Sequence, residues 1–233
     1  MARPRIMQRL AKWHVWLGWL VGLPVLMWTV TGLVMVAKPI EEVRGNHLRK
    51  DVPERALPAD TEIAVSLPAE STQPVRAVTT RVERGETITR IAYMDGTTAR
   101  YRPDGSAMGP LSEVEARLIV AEGIEGGDKV TGTARFAADD VPFDFRRPLP
   151  VWQVALADGT NVYVGTETGQ IEAVRTRWWR TFDFVWGLHI MDLQTREDTH
   201  HPILIFFALL SVIGALFGCI LMFRRRNVGV GGK

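Results

Sequence analysis

The chain has 233 residues, one cysteine (Cys219) and a formal net charge of +2, enough for one moderate domain plus membrane spans. One cysteine cannot form a disulfide within the chain. Four basic residues and no acid lie in residues 1–12, and the same holds for residues 224–233, whereas the middle carries 20 basic and 26 acidic residues, a net charge of −6. This asymmetry predicts cytoplasmic ends and an exported middle, and it argues against nucleic-acid binding.

A charge-free stretch follows the basic lead of residues 1–12. Residues 13–37 contain no Asp, Glu, Lys or Arg, and at ~1.5 Å per residue they would form about 37 Å of helix, enough to cross a bilayer. The run is longer than the apolar region of a signal peptide, and Met35 with Ala37 makes a poor cleavage pair. We therefore predict an uncleaved first transmembrane helix, with Trp13, Trp16 and Trp19 at the cytoplasmic interface.

The middle of the chain is predicted to form an α+β domain. After a charged, proline-containing linker at residues 38–58, apolar and polar residues alternate between turn dipeptides; these are Arg84-Gly85, Asp95-Gly96 and Asp104-Gly105. Ser112 and Glu115 form a capping box that predicts a helix over Leu111–Gly123. Asp-Gly-Thr recurs at residues 95–97 and 158–160, which predicts two related halves of the domain (residues 59–176), at about 59–110 and 111–176.

The remaining elements return the chain to the membrane. The helical spacing of apolar residues in 177–193 predicts an amphipathic helix on the outer membrane interface. Its apolar face would carry Trp178, Phe182, Val185 and His189. A polar loop (194–201), a second span (202–223) and a cytoplasmic tail (224–233) follow. The predicted fold is a membrane helical hairpin of two spans that carries an exported α+β domain with antiparallel sheet.

The sequence resembles a known family. A helix beginning LSEVEARLIVAEG followed by W-x-V-x-L-x-D-G-x…T-G-x-I resembles the PepSY domain. The first span and the end, GLHIMDL…GALFGCILMFRRR, are similar to the membrane helices that accompany PepSY in iron-regulated bacterial inner-membrane proteins. The resemblance implies a two-pass bacterial inner-membrane PepSY protein in the lipid bilayer, with a periplasmic PepSY-like domain.

His14 is the first candidate site residue. Gly18 and Gly22 follow it at i+4 and i+8 on the same helix face, where they would leave room for a flat macrocycle, and imidazole is a common iron ligand. Larger PepSY membrane proteins that resemble siderophore reductases carry haem b on helix histidines, so the resemblance implies haem b here. The alternative is a helix-packing role, because Gly214 and Gly218 repeat the spacing at matching depth.

His189 is the outer candidate ligand, and His201 (or His200) could oppose it. About 30 Å of helix separates His14 from this group, so one haem cannot use both His14 and His189. Paired histidines at the depth of His14 would require a homodimer or a larger membrane partner. The alternative for His189 is an interfacial histidine packed among aromatic residues.

Glu197, Asp198 and His200 form a third, weaker candidate that could hold a divalent or ferric ion, the alternative being a solvated loop. No phosphate loop, nucleophile elbow or zincin motif occurs in the sequence. We therefore assign no catalytic residue and do not expect enzymatic activity from this chain alone.

Two functions follow from these features. The first, implied by the resemblance, is an accessory of iron or siderophore uptake or of membrane electron transfer, with haem b on the candidate histidines. The second is a non-enzymatic interaction module whose strand edges bind a periplasmic polypeptide or regulate a peptidase, as PepSY domains do in other contexts.

Overall fold

The computed structural model describes residues 4–65 and 73–228 of the chain. They divide into two compact units, Met1–Pro39 with Arg180–Lys233 and Ile40–Trp179. We call the first the membrane unit and the second the inserted domain. The elements, in chain order, are α1 (Pro4–Met35), α2 (Ile40–Val43), a 3-10 turn (Asn46–Leu48), β1 (Val75–Glu83), β2 (Glu86–Tyr93), β3 (Thr98–Tyr101), β4 (Ala107–Met108), α3 (Glu113–Gly123), β5 (Val130–Phe136), β6 (Val151–Leu156), β7 (Asn161–Gly165), β8 (Ile171–Arg175), α4 (Arg177–His189) and α5 (Pro202–Val228).

Two helices of the membrane unit are long and apolar enough to cross a bilayer. These segments are Ile6–Met35 and Pro202–Phe223, and only 11% and 6% of their most apolar windows are buried. A core helix of a soluble protein would be mostly buried, so these helices have the exposure expected of lipid-facing segments. Helix α1 as a whole begins at Pro4, before its apolar segment, so most of the predicted basic lead is helical.

The two long helices pack against each other in antiparallel orientation. Leu17 of α1 approaches Gly214 of α5, while His14, one turn earlier, approaches Gly218, one turn later. Small residues allow this close approach of two helices within a membrane. The predicted pairing of the two spans is therefore present.

The inserted domain contains two antiparallel sheets of four strands each, in the orders β1-β2-β3-β4 and β5-β6-β7-β8. The repeated Asp-Gly-Thr turns occupy equivalent places, because one joins β2 to β3 and the other joins β6 to β7. The two halves thus share strand order and turn chemistry, and α3 immediately precedes the second sheet. The predicted capping box is present, with Ser112 and Glu115 bonded to each other's backbone amides.

An aliphatic core joins α3 to the second sheet. Its residues are at most 4% exposed and include Val120, Ile124, Val154 and Val162. Part of the predicted linker also belongs here, since Val43 is 1% exposed and Leu48 packs against the core. The inserted domain therefore begins at Ile40, within the predicted linker of residues 38–58.

Candidate functional site

His14 lies half-buried at the α1–α5 contact. Its Nδ1 is 3.0 Å from the carbonyl oxygen of Gly214. A carbonyl can only accept a hydrogen bond, so Nδ1 of His14 is the donor, and this bond selects the neutral tautomer whose lone pair is on Nε2. A β-carbon on Gly218 would lie only 3.0 Å from Cε1 of His14, so a larger residue there would require the imidazole to move by a few tenths of an ångström.

Gly18 and Gly22 do not take part in this contact. Among the described residues, no atom lies within 4 Å of the position that a β-carbon would occupy on either glycine. Their predicted packing role against the second span is therefore wrong, because Leu17 and His14 supply the α1 face that meets α5. Their role as a haem face stays a prediction.

His189, at the end of α4, is also fixed through Nδ1, which lies 2.8 Å from the hydroxyl of Thr31 on α1. That hydroxyl donates its proton to the Met27 carbonyl at 2.7 Å, so it accepts from Nδ1 of His189, and this bond selects the neutral tautomer whose lone pair is on Nε2. Trp28 Nε1 donates to the His189 carbonyl at 2.8 Å. α1 thus sets the position and the tautomer of this imidazole.

The two oriented histidines lie at well-separated levels along α1. Thr31, which binds His189, is 17 residues after His14, equivalent to about 25 Å along a helix. This spacing is close to the separation of about 30 Å that the sequence predicts between His14 and His189. One haem therefore cannot be held by both imidazoles.

The other outer histidines are not joined to His189. In the described part of the chain, no hydrogen bond links His189 to His200 or His201. His200 is exposed, and its backbone N–H donates to Asp198 at 2.8 Å. His201 is half-buried, and its Nδ1 is buried without a hydrogen-bond partner.

The predicted metal cluster does not form. The described residues contain no group of three or more His, Cys, Asp or Glu side chains placed to hold a metal ion. The backbone N–H groups of Glu197 and Asp198 instead each donate to Asp192 at 3.2 Å. Asp192, which sequence reasoning missed, organises this segment.

The Asp192 loop, residues 190–198, follows α4. Besides those two amides, Asp192 accepts hydrogen bonds from the backbone and hydroxyl of Thr195 and from the Gln194 N–H. These bonds, the Thr195 hydroxyl first, hold the pKa of the Asp192 carboxyl well below its usual value of 3.8. The loop is therefore built around a buried carboxylate that is charged at neutral pH.

A buried ion pair ties the Asp192 loop to α4. Arg196 Nη1 donates to Asp183 at 2.7 Å, and the Asp183 side chain is only 7% exposed. Trp186 Nε1 donates to the Arg196 carbonyl at 3.0 Å. A β-carbon on Gly187 would lie 2.7 Å from Arg196 Cγ and 2.9 Å from the Asp192 carbonyl oxygen, so glycine is needed where the loop crosses the helix.

The buried residues of α4 differ from the predicted apolar face. They are Asp183 and Gly187, one turn apart, rather than the aromatic residues. An open apolar groove of about 270 Å³ adjoins this helix end. It is lined by Leu23, Pro24, Met27, Leu188, Met191 and Leu193.

A family model for the PepSY-associated TM region matches residues 11–230, nearly the whole chain. The chain belongs to this family. It is a membrane PepSY protein, and the predicted combination of two spans with antiparallel sheets between them is confirmed. No curated protein and no solved structure matches the chain significantly.

Proposed function

We propose that this PepSY protein binds haem b and serves iron or siderophore uptake or membrane electron transfer. One observation carries the proposal: His14 and His189 each donate Nδ1–H to an acceptor of the membrane unit. Such a bond fixes the ring orientation and raises ligand basicity at the other nitrogen, as in many metal-binding histidines. Both imidazoles would thus be oriented to hold a haem iron through Nε2.

The donor set of one chain is incomplete at the depth of His14. His14 has no histidine beside it on α5, where its neighbours are Gly214 and Gly218. A second imidazole at that depth would come from a homodimer or from a larger membrane partner. At the outer end, His201 is the candidate companion of His189.

Bound haem would supply one-electron redox chemistry. The residues of this chain would orient the ligands: Gly214 holds His14, and Thr31 with Trp28 holds His189. The apolar groove beside Leu188 offers surface suited to an apolar ligand and poor in water.

A visible absorption spectrum of the purified full-length protein tests this function. After expression with ample haem, we expect a Soret band and a reducible α band that His14→Ala and His189→Ala each weaken or abolish. His47→Ala is the matched control, because His47 is an exposed residue of the inserted domain, and its spectrum should equal the parent's. A colourless protein with intact helical circular dichroism would overturn the proposal.

We further propose a bacterial inner-membrane location, with both termini cytoplasmic and the inserted domain periplasmic. The basic ends and the acidic middle support this topology. An alkaline phosphatase fusion at Gly105, in the inserted domain, should be active, and a fusion at Gly229 inactive. The reverse pattern would contradict the topology.

The alternative function is a non-enzymatic interaction module. β1 and β5 are edge strands of their sheets, and much of β1 is exposed, including Ala77 and Val78. An extended polypeptide, such as a peptidase segment, could add to such an edge by backbone hydrogen bonding. A colourless protein that retains a polypeptide partner would favour this alternative over haem binding.

A further inference from the structure

A polar cleft of about 490 Å³ lies within the inserted domain, away from the histidines. One wall is a face of the first sheet, and the other is formed by the β7–β8 turn, the start of β8 and the segment before β6. The volume falls within the range of small-molecule sites, which is about 300–1,000 Å³.

The sheet wall is lined by small residues in adjacent strands. Ala77 pairs with Ala92, which in turn pairs with Thr98, so these three side chains share one face. A sheet face that packed on a core would carry large apolar residues at such positions. The short side chains instead leave open space, and four arginines surround it: Arg76, Arg81, Arg90 and Arg147.

Two of these arginines are neutralised by the protein itself. Arg90 is 9% exposed, forms an ion pair with Glu83, and donates from Nε to the Thr168 carbonyl at 2.6 Å. Arg147 donates to the Glu172 carboxylate at 3.1 Å. Of these contacts, only the hydrogen bond from Arg90 to Thr168 joins the two walls of the cleft, because each ion pair lies within one wall. The paired guanidinium groups bring little net charge to the cleft.

The other two arginines are not neutralised in this way. Among the described residues, Arg81 is paired only with Glu54, at 3.7 Å, and both side chains are exposed, at 58% and 88%, so this pair is weak. Arg76 has no ion pair or hydrogen bond from its side chain in the described part of the chain. It is the extra residue of a β-bulge between Val75 and Ala77, and a bulge can redirect a side chain, here to line the cleft.

We propose that this cleft binds a small organic anion that carries two or more carboxylates, with Arg76 and Arg81 as its recognising residues. The planar guanidinium donates two parallel hydrogen bonds to a carboxylate, and two such groups at one cleft suit a multivalent anion. Arg90 acts as a positioning residue that bonds across the cleft to Thr168, and Arg147 stabilises the second wall through Glu172. The site is independent of the haem proposal because it shares no residue with it.

Isothermal titration of the full-length protein with citrate, at constant ionic strength, tests the site. We expect a dissociation constant of about 1 mM or tighter and about tenfold weaker binding in Arg76→Gln and in Arg81→Gln. The control is Arg135→Gln, because Arg135 is an exposed arginine on β5 outside the cleft, and this variant should bind as the parent does.

Three results would overturn the proposal. They are no citrate binding by the parent protein, unchanged binding in both cleft variants, or equal affinity for inorganic phosphate, which would indicate unspecific charge attraction. Because Arg76 is exposed and Arg81 is 58% exposed, neither change should alter folding, and an unchanged thermal melt verifies this.

Discussion

The two units of the molecule are built on opposite principles. The inserted domain buries aliphatic side chains of α3 and the second sheet, whereas the membrane unit buries few large apolar residues. In the described part of the membrane unit, the buried residues are Val21, Thr31, Asp183, Gly187, Ile190, Asp192 and Gly214. Only two of these seven have aliphatic side chains larger than a methyl group.

The difference follows from the solvent of each unit. Water drives aliphatic residues of the inserted domain into a core, but lipid is as apolar as leucine and gives its helices no such drive. Close packing at glycine and specific hydrogen bonds must then position the helices. The inserted domain should therefore be most sensitive to lost volume, and the membrane unit to added volume.

The largest expected effect is a truncation in the core of the inserted domain. Ile124 is 0% exposed, and Ile124→Ala should lower the free energy of unfolding of this domain by about 2–5 kcal/mol through the cavity that it leaves. Urea unfolding of the full-length protein, followed by near-UV circular dichroism, measures the change. Ile63→Ala, at a residue 42% exposed, is the control, and an equal loss there would contradict a core role for Ile124.

Added volume in the membrane unit should have the next largest effect. Gly187→Ala places a β-carbon 2.7 Å from Arg196 Cγ, so the Asp192 loop must shift, at a cost of about 1–3 kcal/mol. The shift should also expose the Arg196–Asp183 pair. Thermal unfolding in detergent and proteolysis of the loop measure it, and a variant as stable and as resistant as the parent would rule out the tight crossing.

The smallest effect is expected from the same substitution on the open side of α1. In Gly22→Ala, the new β-carbon has no atom within 4 Å among the described residues. Alanine is also more favourable than glycine inside a helix, by up to about 1 kcal/mol. The melting temperature in detergent should stay or rise slightly. A fall comparable to that of Gly187→Ala would show that this face packs against another helix.

Local patterns predict much of this fold from sequence. The long apolar runs, the Ser112–Glu115 capping box and the Asp-Gly turns act within a few residues, and each is present, although α1 begins earlier than predicted. The repeated Asp-Gly-Thr turn joins the second and third strands of both sheets. Such features depend on little beyond neighbouring residues, which explains why they can be predicted.

Contacts between distant segments were harder to predict. Spacing placed Gly18 and Gly22 on one face of α1, but it could not say that α5 packs on the neighbouring face. The sequence identified His14 and His189 as candidates, yet their acceptors, Gly214 and Thr31, are 200 and 158 residues away. One usable signal was missed: Asp192 three residues before Thr195 is a spacing at which aspartate often bonds local backbone amides.

The contact at Gly45 has a consequence for assembly of the membrane hairpin. A β-carbon on Gly45 would lie 2.7 Å from Val174 Cγ1, so the folded inserted domain holds its two ends together, close to its limits at Ile40 and Trp179. If the inserted domain were unfolded, pairing of α1 with α5 would have to close a flexible loop of well over a hundred residues. By shortening the effective loop, the domain removes roughly 2 kcal/mol of closure entropy, so its folding favours the pairing of the spans.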